Sequence, residues 1–163
     1  VQATEGSHID FAPVCALDDA ILAALRERFE RVSVERVMSG EGIVPIQAAI
    51  AAQEGRRPVL GDPLAIWKAG MAGQDELAAR AVAHFVATLG RIAGDYALAH
   101  GASAVVIAGG LGQRLQQHLR APAFHEAFIA KGRYAKLMKA MPVALVRHSQ
   151  PGLVGAALAH GVG

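Results

Sequence analysis

A single cysteine, Cys15, stands in a chain of 163 residues. No disulfide can close within the chain, and no cysteine cluster can hold zinc. A lone thiol fits a reducing compartment, so a cytoplasmic location is the expectation. Charge is also sparse: Asp, Glu, Lys and Arg make up 18% of the residues, against about 25% in an average globular domain. The net charge is +2 and no run of Lys or Arg exceeds two residues. Despite a pI near 9.0, this is not the footprint of a nucleic-acid binder. The apolar runs fall well short of the ~20 residues a membrane span needs, so no membrane partner is expected. The opening Val1-Gln2-Ala3-Thr4-Glu5 lacks the basic segment and apolar core of a signal peptide. It also lacks an initiator Met, as expected of a piece of a longer chain. Neither G-x-G-x-x-G nor G-K-[ST] occurs, which leaves out the dinucleotide fingerprint and the Walker loop.

What the chain has in excess is apolar residues, 53% of the total, with a mean hydropathy of +0.30. The length suits one domain, taken as 1–163. Such hydropathy implies a large interior or an apolar surface that expects a partner. A missing partner domain would account for the second.

Hydrophobic spacing sets out the elements. After an extended opening segment, Ile21, Leu22, Leu25 and Phe29 recur at helical intervals from Asp18 onward. Asp18 and Asp19 suit the positive end of that helix. A short segment over 32–38 leads to the turn Ser39-Gly40-Glu41-Gly42 and a helix over 43–52, with Pro45 in its first turn. Asp62 and Pro63 cap and open another helix, which Gly70 and Gly73 end. Residues 75–100 form the longest helix: Ala78, Val82, Phe85, Leu89, Ile92 and Tyr96 make its apolar stripe, with Arg80, His84, Arg91 and Asp95 on the other side. Gly90 and Gly94 inside it imply a close approach by another segment. The apolar, β-branched run 103–108 predicts a buried strand, 142–146 a second, and helices are expected over 112–119, 122–130 and 153–160. Strands alternating with helices make the class α/β, helix-rich with a small mixed sheet.

Five constellations stand out, and each alone admits an ordinary explanation. Glu5 and His8, three residues apart around a flexible Gly-Ser, can converge on one polar ligand. Carboxylate and imidazole together accept and donate the hydrogen bonds of a sugar. Taken alone, they are better explained as a polar loop with a chance Glu and His. Glu35 precedes the glycine-rich Ser39-Gly40-Glu41-Gly42 turn, whose backbone could meet a phosphate or simply join two helices. Strand, Gly109-Gly110, then helix lets a flat ligand approach the backbone, or makes a tight turn. Lys131-Gly132-Arg133-Tyr134 reads best as a charged surface turn. Pro151-Gly152-Leu153-Val154-Gly155 starts a helix suited to close packing. No metal site has ligands at suitable spacing.

Their order is more specific than any one of them. The blocks Glu5-Gly6-Ser7-His8-Ile9-Asp10-Phe11-Ala12-Pro13, Val32-Ser33-Val34-Glu35-Arg36-Val37-Met38-Ser39-Gly40, Ile107-Ala108-Gly109-Gly110, Lys131-Gly132-Arg133 and Pro151-Gly152-Leu153-Val154-Gly155 follow one another along nearly the whole chain. In that order the sequence resembles the bacterial glucokinases of the hexokinase-like group, within the actin-like sugar kinase superfamily. The resemblance implies the C-terminal half of an actin-like (ribonuclease H-like) ATPase fold. It implies that Glu5, His8 and Glu35 bind glucose hydroxyls, that Gly109 and Gly110 form the adenosine motif, and that Ser39 and Gly40 lie on the nucleotide side of the cleft. ATP with Mg2+ would be the phosphate donor.

The chain departs from the family at Ser7, where many members have Gly, and at Glu41, where many have Pro. The family's Asn-Asp pair carrying the catalytic base and its phosphate loops precede the Glu-Gly-Ser-His block and are not in this sequence. The resemblance thus implies an N-terminal domain as partner, a homodimer, and no kinase activity from these residues alone. Sugar kinases that double as repressors carry a cysteine-rich zinc motif, which one cysteine excludes. A non-catalytic sugar-sensing module and a purely structural dimerisation domain are the remaining alternatives.

Overall fold

A computed structural model describes residues 4–148 and 150–161. By the clustering of its contacts the chain resolves into two compact units, Val1–Leu89 and Gly90–Gly163.

The first unit is helical. A 3-10 turn, Gly6–His8, opens it, followed by α1 (Ala16–Arg26), α2 (Val34–Val37), α3 (Ile43–Gln53), α4 (Pro63–Met71) and the first part of α5 (Glu76–Ala99). α1 packs on α3. It buries Ile21, Leu22 and Leu25, while α3 buries Ile43, Ile46, Ala49, Ile50 and Ala51. Each fully buried aliphatic side chain contributes roughly 1.5–3 kcal/mol before chain entropy is subtracted. α1 begins two residues ahead of the expected Asp18 and ends before Phe29, which is only half-buried. Asp18 does more than meet the helix dipole. It is 1% exposed, accepts a hydrogen bond from the Val14 amide at 3.0 Å, and lies 2.9 Å from Nε2 of His84. His84, expected on the outer face of α5, is therefore turned inward to a carboxylate.

Capping follows the sequence. The Asp62 side chain accepts from the Ala65 amide at 2.8 Å, with Pro63 at the first helical position. Asp75 accepts from the Ala78 amide at 2.7 Å and fixes the start of α5. Gly70 does not end α4, however, but lies inside it. A Cβ there would fall 2.5 Å from the Ala78 carbonyl, so the glycine allows α4 to meet the start of α5. Gly73, with φ +67°, makes the stop. Trp67 and Phe85 are both buried as expected, edge to face with centroids 4.9 Å apart.

The second unit holds the remainder of α5, then β1 (Val105–Ile107), α6 (Gly110–Arg114), α7 (Pro122–Ile129), α8 (Ala135–Ala140), β2 (Val143–Leu145) and α9 (Pro151–Ala159). The close approach expected at Gly90 and Gly94 is found: Cβ atoms there would fall 2.2 Å from the Phe124 carbonyl and 2.6 Å from the Phe128 carbonyl. α7 thus rests directly on α5 backbone. Lys131 is not a surface residue. Its side chain is 8% exposed, and Nζ donates to the Arg91 carbonyl at 2.9 Å and to Asp95 at 2.7 Å. α6 begins at Gly110 rather than 112 and is shorter than expected.

β1 and β2 pair in parallel, Val105 with Val143 and Ile107 with Leu145. The burial expected of β1 is not observed: Val106 is 63% exposed. β1 is wholly apolar, as strands covered on both faces are, yet among the described residues no further strand flanks this pair. Among those residues, too, no helix is long and apolar enough to cross a membrane.

Candidate functional site

A short ladder brings the acidic and imidazole groups together. The Val34 amide donates to the Ile9 carbonyl at 2.9 Å and the Phe11 amide to the Val32 carbonyl at 3.0 Å, around an antiparallel bridge between Asp10 and Ser33. This places the Gly6–His8 turn beside α2, which carries Glu35. Nε2 of His8 then lies 3.6 Å from a carboxylate oxygen of Glu35 and 4.0 Å from one of Glu5. The imidazole sits between two acids from separate segments. All three side chains are more than half exposed, at 84% for Glu5, 59% for His8 and 55% for Glu35. The cluster is open and rich in acceptors. It can receive several hydroxyl protons and, through the imidazole, donate one. Among the described residues no group of three or more His, Cys, Asp or Glu side chains is placed to hold a metal ion.

Glu35 also lines a cleft of about 410 Å³ together with Ser39, Glu41, Arg28, Phe29 and Arg36. The guanidiniums of Arg28 and Arg36 lie 5.4 and 4.0 Å from the centre of the Phe29 ring. Ser39 and Gly40 form the turn expected of them. The Ser39 hydroxyl accepts from the Gly42 amide at 3.3 Å, and the Gly40 carbonyl accepts from the Trp67 indole at 2.8 Å. The turn is thereby tied to the core. Gly42 closes it, since a Cβ there would fall 1.9 Å from the Val37 carbonyl.

In the second unit, Gly109 ends β1 with φ +100°, a conformation that favours glycine, and nothing lies within 4 Å of where its Cβ would project. Gly110 then starts α6. Bare backbone at the carboxyl end of a strand is what a flat ligand needs for close approach. A larger hollow in this unit, about 600 Å³ between the strand pair and α7, is lined by Ile107 but not by Gly109 or Gly110.

The pairing of Arg31 with Asp10 in the site's frame carries no signal in the sequence. Arg31 donates through Nε to Asp10 at 2.6 Å and through Nη2 to the His8 carbonyl at 2.7 Å. Asp10 falls within a motif, but its partner lies in a separate segment that periodicity does not connect to it.

A protein of Zymomonas mobilis named glucokinase is 50% identical over 157 residues, 96% of this chain and 48% of its own length. A glucokinase of Marinobacter nauticus is 40% identical over 159 residues, 97% of this chain and 50% of its own. Among solved structures, the crystal structure of glucokinase from an Antarctic psychrotroph matches with a TM-score of 0.85 at 36% identity, covering 98% of this chain and 50% of that one. The chain thus spans about half the length of the relatives it matches. The glucokinase family model matches residues 1–161, and the chain belongs to the glucokinase family.

Proposed function

We propose that this chain is the C-terminal half of an enzyme that transfers the γ-phosphate of ATP to glucose, giving glucose 6-phosphate at the first step of glycolysis. Glu5, His8 and Glu35 grip the sugar hydroxyls. The observation that carries this reading is the convergence of the three side chains, with Nε2 of His8 within 3.6 and 4.0 Å of the two carboxylates. Carboxylates accept two hydroxyl hydrogen bonds each, and such charge-assisted bonds are worth roughly 1.5–3 kcal/mol apiece.

Gly109 and Gly110 offer bare backbone to adenosine, and the Ser39-Gly40 turn lies on the nucleotide side of the sugar site. Mg2+ arrives with ATP, held by the phosphates rather than by a carboxylate cage in these residues. The base that removes the proton from the attacking sugar hydroxyl belongs to the N-terminal half, as do the phosphate loops. Catalysis is positioning plus charge stabilisation, and it needs both halves closed over the sugar to exclude water. A homodimer and a cytoplasmic location complete the reading. A non-catalytic sugar sensor is not favoured, because the matched relatives are named as glucokinases.

The test is an assay of glucose 6-phosphate formation from ATP and glucose. The complete protein is expected to form it, and the 163-residue chain alone is expected not to. No turnover by the complete protein refutes the activity. Turnover by this chain alone refutes the division of labour.

A further inference from the structure

We propose that Arg31 and Asp10 form a clamp that positions the imidazole of His8 for the sugar. This rests on the reading of His8 as a hexose ligand. The ladder that joins the two segments ends at Ile9, whose carbonyl takes the Val34 amide at 2.9 Å. His8 lies one residue beyond it, at the end of a 3-10 turn whose first two residues are Gly6 and Ser7. The His8 carbonyl is tied across by the Arg31 side chain at 2.7 Å, while Nε of the same guanidinium holds Asp10 at 2.6 Å. One side chain thus adds a rung to the ladder past its backbone end.

The fork matters chemically. A guanidinium presents several N–H donors in a fixed plane, so it can hold a carboxylate and a carbonyl at once. An ammonium is a point charge and cannot impose the same angle. With the rung absent, the turn can pivot at Ile9 and carry the imidazole away from Glu35. Both clamp residues are mostly exposed, Arg31 at 61% and Asp10 at 75%. Exposed pairs contribute little to global stability. The clamp therefore acts on ligand geometry, and its loss shows in sugar affinity rather than in melting temperature. Arg31 and Asp10 are positioning residues that need not touch the sugar.

The experiment uses the complete protein carrying Arg31→Ala, Asp10→Ala, Arg31→Lys or both alanine changes. The glucose KM is expected to rise roughly 2- to 10-fold in Arg31→Ala, the equivalent of about one hydrogen bond to the sugar. kcat, ATP KM and Tm should stay at wild-type values. Arg31→Lys should recover only part of the loss, and the double variant should be no worse than Arg31→Ala, since Arg31→Ala already removes the contact to Asp10. An unchanged glucose KM in Arg31→Ala overturns the clamp, as does a fully additive double variant or a KM rise that tracks a falling Tm. A wild-type protein that neither binds nor phosphorylates glucose overturns the functional reading instead, and the clamp with it.

Discussion

Nε2 of His8 and a carboxylate oxygen of Glu35 lie 3.6 Å apart, although one belongs to a 3-10 turn and the other to α2. The two backbone hydrogen bonds of one antiparallel bridge account for that approach. If the pair serves the sugar, Glu35→Gln removes a charged acceptor while keeping the shape. In the complete protein the glucose KM should rise roughly 10- to 100-fold, the equivalent of one or two charge-assisted hydrogen bonds. ATP KM should move little. Steady-state kinetics with each substrate varied in turn checks this.

The Asp18–His84 pair predicts a stability effect. Asp18 is 1% exposed and the His84 side chain 18%. His84→Ala takes the imidazole from a buried carboxylate and leaves a gap, which should cost about 2–4 kcal/mol. His84→Gln, which can still donate, should cost less. Urea denaturation of the complete protein measures both.

Glycine contrasts test the close approaches. Gly90→Ala puts a Cβ 2.2 Å from the Phe124 carbonyl, a backbone atom that cannot swing away. Such overpacking costs about 1–3 kcal/mol. Gly40→Ala meets nothing within 4 Å and should leave stability within about 0.5 kcal/mol of wild type, as surface changes do. Thermal melts of the two variants should differ in this order.

Tyr96 adds an alkaline limit. Burial raises its pKa above 10.0, and the nearby Asp95 carboxylate adds to the rise. The unfolded chain then ionises this phenol at lower pH than the folded protein does. The stability it confers is intact below pH 10.0 and is lost as pH rises through the folded-state value. Tyr96→Phe should flatten the alkaline arm of a Tm-versus-pH curve.

Much of this was legible in the sequence, for identifiable reasons. The apolar stripe of α5, the Asp62-Pro63 start of α4 and the glycines at 90 and 94 are local signals, and local structure obeyed them. The candidate residues Glu5, His8 and Glu35 stand out through motif order, while their convergence depends on the bridge between Asp10 and Ser33, a long-range pairing too short to leave a periodic trace. Pairings between distant polar residues were illegible for the same reason. Periodicity puts His84 outside and the charged Lys131-Gly132-Arg133 run reads as a surface turn, but Asp18 draws His84 in, and the Arg91 carbonyl and Asp95 draw in Lys131. α8 went unread because its Lys136 and Lys139 mask the buried Met138. The apolar β1 predicted burial, but a wholly apolar strand is covered only if further elements lie over it, and Val106 stays exposed here.

The central claim is that Glu5, His8 and Glu35 make one wall of a hexose site. Calorimetric titration of glucose into the complete protein, wild type against His8→Ala, tests it most directly. The account predicts measurable binding by the wild type, weakened at least about tenfold in the variant at unchanged Tm, as loss of a central polar ligand requires. Equal affinity in the two proteins would contradict it.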